Sequence, residues 1–144
     1  MLYDQLIAII DSHKHEIARD LIKRANDQPS QQTRLPSTTP MEIRILSMVA
    51  WLDTMLLYIR DGDSERWRTE IIGQTERILH FKYPIDEMLK VSETTYQVID
   101  QLIDQEVKDE KLRERFHRRV QGLNTSTSTI ARVVVMRANN ENSK

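Results

Sequence analysis

The amino-acid sequence predicts an all-α protein with five or so long helices, in a globin-like or helical-bundle arrangement. Three glycines and four prolines in 144 residues leave few positions for tight turns. Apolar residues recur three and four positions apart through most of the chain, which is the spacing of one helix face. No stretch of useful length has the pattern of a strand. We therefore expect residues 1–144 to form one helical domain.

The first helix is predicted over Leu2 to about Ala25, because apolar residues recur on one of its faces. His13 falls on this face, where a half-buried histidine bonded to a neighbour is the ordinary interpretation. The polar segment at about 26–39 contains two prolines. We expect this segment to be a mobile loop.

The second helix is predicted to begin where the polar segment ends. Thr39 has the character of an N-cap, Pro40 of a first helical residue, and Glu42 lies where the second half of a capping box belongs. The helix should end near Arg60.

The clearest turn in the chain is the segment from Asp61 to Ser64. Gly62 can adopt the left-handed conformation that ends a helix, and Asp63 or Ser64 can cap the next one. A third helix should follow and extend to about His80.

A fourth helix is predicted from Pro84, since proline disfavours helical geometry in the residue before it. A break near Lys108 and Asp109 is favoured, because Asp109 and Glu110 suit a helix N-terminus. One helix running through this point is the alternative. The last helix should give way to a polar tail at about 139–144.

Six residues of the last helix form a heptad-like stripe, which we call the seam: Phe116, Val120, Leu123, Thr127, Ile130 and Val134. Such a stripe, with a polar residue at one position, suits a dimer or signalling helix that packs along a partner. The alternative is that the seam faces the core of its own domain. Both interpretations stay open here, and we expect a homodimer.

The composition bears on several classes of function. The absence of cysteine excludes disulfides, thiolate catalysis and cysteine-bound metal sites. With 21 basic and 22 acidic residues the formal net charge is −1, so no overall field attracts nucleic acid. The opening apolar run contains Asp4 and Gln5 and lacks a cleavage site, which disfavours a signal peptide or a span. We expect a cytoplasmic protein with no nucleic-acid partner and no membrane insertion.

One apolar cluster is a candidate ligand pocket. Trp51, Met55 and Tyr58 share a face of the second helix, and Tyr96 faces inward from the fourth. A stripe of this kind most often belongs to a core. The functional alternative is a pocket for a small apolar ligand, because methionine and aromatic side chains line adaptable cavities.

No pattern in the sequence indicates an enzyme or a metal site. We find no nucleophile with a nearby base, no paired carboxylates and no phosphate-binding glycine loop. His80, near several aromatic residues, is the residue to suspect if the protein binds haem. His117 lies among arginines, which predicts a solvated basic face. We expect no cofactor, and a haem-binding or other cofactor-binding protein is the alternative.

The chain resembles a known family from Trp51 to Val107. The features that carry the resemblance are the Arg60-Asp61-Gly62-Asp63 joint, the break at Phe81-Lys82-Tyr83-Pro84 and the long helix after it. The opening segment from His15 to Arg19 is similar to the first helix of the same family. Together these features resemble the N-terminal helical domain of RsbRD-type stressosome co-antagonists, which also precedes bacterial histidine kinases.

This resemblance implies a bacterial sensor domain with a non-haem, globin-like shape. Such a domain usually dimerises and relays a signal through its C-terminal helix to an output module or partner protein. Residues 1–144 contain no kinase or output domain. The sequence identifies neither the signal nor the downstream partner.

Overall fold

A computed structural model describes residues 2–26, 41–82 and 84–142. These residues form five helices and no strand: α1 (Asp4–Asn26), α2 (Met41–Asp61), α3 (Glu65–His80), α4 (Ile85–Glu106) and α5 (Glu110–Asn142). The all-α prediction is confirmed. The predicted loop at about 26–39 and the predicted cap at Thr39 and Pro40 lie outside the described residues, apart from Asn26, which ends α1. Helix α5 includes residues 139–142 of the predicted polar tail.

The turn between α2 and α3 has the predicted geometry. Gly62 has a φ of +75°, and its N–H donates to the carbonyl oxygen of Tyr58 at 2.7 Å. Ser64 caps α3, because its hydroxyl oxygen accepts from the backbone N–H of Trp67 at 3.2 Å. A Cβ atom at position 62 would lie 3.3 Å from the Arg119 guanidinium. Conformation and close packing therefore both favour glycine at this position.

We expect Gly62→Val to lower the free energy of unfolding by about 1 kcal/mol or more, since a β-branched residue is strained at positive φ. Gly73→Ala is the matched control, because the nearest atom to a Cβ at position 73 is the end of the Arg77 side chain at 3.8 Å. Urea unfolding followed by circular dichroism measures both variants. Equal midpoints for Gly62→Val and the wild type would contradict the assigned turn.

The break between α4 and α5 is also confirmed. Val107 has the extended backbone angles φ −108° and ψ 112°, so the helix does not run through. Asp109 then caps α5, because its carboxylate accepts from the backbone N–H of Leu112 at 3.0 Å. A single capping aspartate thus sets the start of the longest helix.

The helices pack in the order α1, α2, α3, α5, α4 and back to α1, and α2 also packs against α5. Side chains from all five helices fill the centre. The largest fully buried ones include Trp67, Phe116, Leu52 and Ile99. Helices α2 and α4 are not neighbours in this order.

The seam lies inside this fold. Phe116, Val120, Leu123 and Thr127 have no exposed surface, Val134 is buried, and Ile130 packs against the core while partly exposed. Helices α3 and α4 of the same chain are the main neighbours of α5. The chain's own helices therefore cover the seam, as the core interpretation expects, and the homodimer and the signalling role of α5 stay predictions.

Candidate functional site

An open groove of about 710 Å³ runs between α3 and α5. Its α3 wall includes Arg68 and Ile72, and its α5 wall includes Arg118, Thr129, Ile130, Val133 and Arg137. The two helices run in the same direction, because Gly62 lies beside Arg119 and Trp67 bonds to Ser126 further along both. The groove therefore lies between parallel helices where Arg68 and Ile72 face α5, and it continues along one face of α5.

Helix α5 carries five consecutive hydroxyl residues, Thr125 to Thr129, and three of them, Thr125, Ser126 and Thr129, line the groove. Such residues are poor helix formers, yet α5 continues through them unbroken. Ser126 accepts a hydrogen bond from the indole N–H of Trp67 at 2.9 Å, which joins α5 to α3.

The next residue along, Thr127, joins α5 to α4. Its hydroxyl donates to the carbonyl oxygen of Leu123 at 2.9 Å, so the Tyr96 hydroxyl, 2.8 Å away, donates to Thr127. Burial raises the pKa of Tyr96 to about 12, so the phenol stays neutral and keeps its proton. Two adjacent hydroxyls of α5 thus bond to two different helices, one in the groove and one in the core.

A polar network links the groove to the turn before α3. Arg68 donates two hydrogen bonds of 2.7 Å to the Asp63 carboxylate. The hydrogen bond from Arg68 lowers the pKa of Asp63 most, and a hydrogen bond from Ser126 lowers it further against the effect of partial burial. The charge of Arg68 is therefore already matched by a carboxylate within the chain.

Of the four residues predicted to line a pocket, only Tyr58 lines this groove. Met55 and Tyr96 are buried in the core, and Trp51 packs against it. Their bulk fills space between the helices, and the groove lies where α3 meets α5 instead. The Tyr58 ring is held in place by an edge-on contact with Trp67, with 5.4 Å between ring centroids.

His117 is a residue whose environment the sequence did not indicate. One ring nitrogen lies 2.8 Å from an Asp100 oxygen and the other 2.7 Å from an Asp104 oxygen. Both aspartates belong to α4, so His117 holds α4 to α5 and does not lie on a purely basic face. Partial burial lowers the pKa of His117, but the hydrogen bonds and charges of Asp100 and Asp104 outweigh it and raise the pKa overall.

This contact should make stability depend on pH. A histidine with a raised folded-state pKa contributes stability that is fully present below its unfolded value of about 6.5. That contribution is lost as pH rises through the folded-state pKa. Arg113 is the other cation that faces Asp100 and Asp104, since its Nε lies 4.0 Å from Asp104. The Arg113 guanidinium stays charged between about pH 6 and about pH 9.

We therefore expect His117→Gln to lose more unfolding free energy at about pH 6 than at about pH 9. Urea unfolding at both pH values measures the difference. His15→Gln is the control, because His15 is exposed on α1. The contact is disproved if the cost of His117→Gln is the same at both pH values.

The other two histidines named from the sequence lie at the surface or near it. His80 is exposed at the end of α3, and its ring contacts the exposed ring of Phe81. His13 is half-buried, and its ring nitrogens lie 3.2 Å from Glu16 and 3.5 Å from Glu106. Within the described residues no group of three or more histidine and acidic side chains is placed to hold a metal ion. None of the described helices is both long and apolar enough to cross a bilayer.

No family model, curated protein or solved structure matches this chain. The resemblance to RsbRD-type domains therefore stays a prediction from the sequence pattern.

Proposed function

We propose that this chain is a non-catalytic sensory or regulatory domain that relays the occupancy of the α3–α5 groove through α5 to an output module or partner. The observation that carries the proposal is the pair of adjacent residues Ser126 and Thr127. Ser126 bonds to Trp67 of α3 beside the groove, and Thr127 bonds to Tyr96 of α4 in the core. Anything that displaces α5 at the groove therefore acts on its attachment to both neighbouring helices.

The free energies of the hydrogen bonds of Ser126 and Thr127 are in the range that a relay needs. A hydrogen bond within a protein contributes only about 0.5–1.5 kcal/mol net, so exchanging these two bonds for others costs little. Coupling free energies between sites are typically about 1–3 kcal/mol, which is the same range. A ligand that binds one arrangement of α5 better than another can therefore shift the population between them.

The resemblance to RsbRD-type domains supports the same class of function. It further implies a cytoplasmic bacterial protein that forms a homodimer. Since the seam is buried, a dimer would form through surface residues outside the groove, such as the exposed Met136 of α5. Sedimentation of the wild type beside Met136→Glu tests this part separately, and a monomer at tens of micromolar would refute it.

The relay is tested by filling the groove and measuring the position of α5. Because the chain contains no cysteine, Glu70→Cys on α3 and Asn140→Cys on α5 give two unique sites for spin labels. Both side chains are exposed. Thr129→Trp places an indole in the groove, and Arg132→Trp places the same side chain on an exposed part of α5 outside it.

We expect Thr129→Trp to shift the distance between the labels by about 1–2 Å, the size of helix shifts in switching proteins. Arg132→Trp should leave the distance distribution unchanged. An unchanged distribution for Thr129→Trp, in a protein with wild-type circular dichroism, would refute the relay.

A further inference from the structure

The shape of the α3–α5 groove indicates the kind of occupant that it fits. Its lining along α5 extends from Arg118 to Arg137, which corresponds to about 28 Å of helix. Small-molecule sites enclose most of their ligand, whereas this groove is open on one side. An open groove that follows one face of α5 for this length, with α3 beside part of it, fits one face of a third helix.

The charges along the groove are predominantly positive. Arg68 is paired with Asp63, but Arg118 and Arg137 make no ion pair within the described part of the chain. Both of these arginines are exposed, and they lie toward opposite ends of the α5 wall. An occupant with acidic residues on its flanks would therefore be favoured and a basic one disfavoured.

Between the arginines, part of the groove is aliphatic. Ile72 and Ile130 line it, together with Val133, which is 36% exposed. This apolar surface has the composition that an apolar helix stripe would cover.

We propose that the groove binds an amphipathic helix of a partner protein, with an apolar stripe over Ile72, Ile130 and Val133 and acidic flanks facing Arg118 and Arg137. This inference rests on the proposed function, because it names the class of partner for the same groove. The partner's stripe contributes affinity, and its acidic flanks determine selectivity and orientation.

The test uses three synthetic helical peptides of about 18 residues, a length that spans about 27 Å. The first has a leucine stripe with glutamate flanks, the second has the same stripe with lysine flanks, and the third has glutamate flanks with serine replacing leucine. Each peptide carries a fluorophore, and fluorescence anisotropy measures its binding to the wild type. The same titrations are made with Arg118→Glu/Arg137→Glu and with the control Arg132→Glu, which reverses one arginine charge outside the groove.

We expect the wild type and Arg132→Glu to bind the first peptide at least tenfold more tightly than either of the others. Arg118→Glu/Arg137→Glu should reverse the preference in favour of the lysine-flanked peptide. The proposal would be overturned if the first peptide bound no more tightly than the lysine-flanked peptide or the serine peptide, or if no peptide bound. It would also be overturned if the double variant kept the preference of the wild type.

The two proposals fail separately. Selective peptide binding with no change in the label distance would retain the docking site and refute the relay. A shift of α5 in Thr129→Trp without selective peptide binding would retain the relay and refute the acidic helix as its partner.

Discussion

Trp67→Ala is expected to lower the free energy of unfolding by about 3–5 kcal/mol, because it removes a fully buried indole and leaves a cavity. The indole contacts Tyr58 edge-on and donates its N–H to Ser126, so the variant also loosens the floor of the groove. Urea unfolding followed by circular dichroism measures the loss without relying on tryptophan fluorescence.

Two further variants separate packing from hydrogen bonding at this position. Ser126→Ala removes the acceptor of the Trp67 indole N–H while keeping the indole in place, and it should cost about 1–3 kcal/mol because a buried donor loses its partner. Trp67→Phe retains part of the apolar volume and should fall between Ser126→Ala and Trp67→Ala. A loss for Trp67→Ala no larger than that for Ser126→Ala would contradict the burial of the indole.

The helices could be predicted from the sequence because their signals are local. The left-handed residue at Gly62 and the cap at Ser64 depend on a few neighbouring residues, and both have the predicted geometry. The break before α5 could be predicted in the same way from Asp109. In each case a steric preference or one hydrogen bond within a single turn determines the outcome.

What covers a helix face could not be predicted, because it depends on distant parts of the chain. The periodicity of the seam identifies one face of α5, but the same stripe suits a partner helix or the protein's own core. In the structure, α3 and α4 of the same chain cover this stripe. The spacing of residues within α5 carries no information about where α3 and α4 lie. Thr127 illustrates the point, since its buried partner Tyr96 is a residue of α4.

The environment of His117 was missed for a similar reason. Its sequence neighbours are arginines, which suggested a basic surface. Its actual partners, Asp100 and Asp104, face it only because α4 and α5 pack with one particular register. The groove likewise depends on two helices that are separated by α4 in the sequence, although the consecutive hydroxyl residues of α5 were a visible signal.

The contact between Gly122 and Tyr58 gives the second prediction of large effect. A Cβ atom at position 122 would lie 2.6 Å from the Tyr58 hydroxyl oxygen and 3.5 Å from the ring carbon that bears it. Only the first distance is a clash. The ring has little room to retreat, because Trp67 contacts it and the Arg119 guanidinium lies 5.4 Å from its centre.

The effect of Gly122→Ala on the free energy of unfolding is therefore expected to depend on the residue at position 58. In the wild type, overpacking costs about 1–3 kcal/mol, which exceeds the gain of about 1 kcal/mol from replacing glycine within a helix. In Tyr58→Phe the clashing oxygen is absent and the ring carbon is at an ordinary contact distance, so Gly122→Ala should stabilise the protein. Urea unfolding of the wild type, both single variants and the double variant measures a coupling energy of about 1–3 kcal/mol. Stabilisation by Gly122→Ala to the same extent in both backgrounds would show that the Tyr58 hydroxyl does not lie over this glycine at the groove.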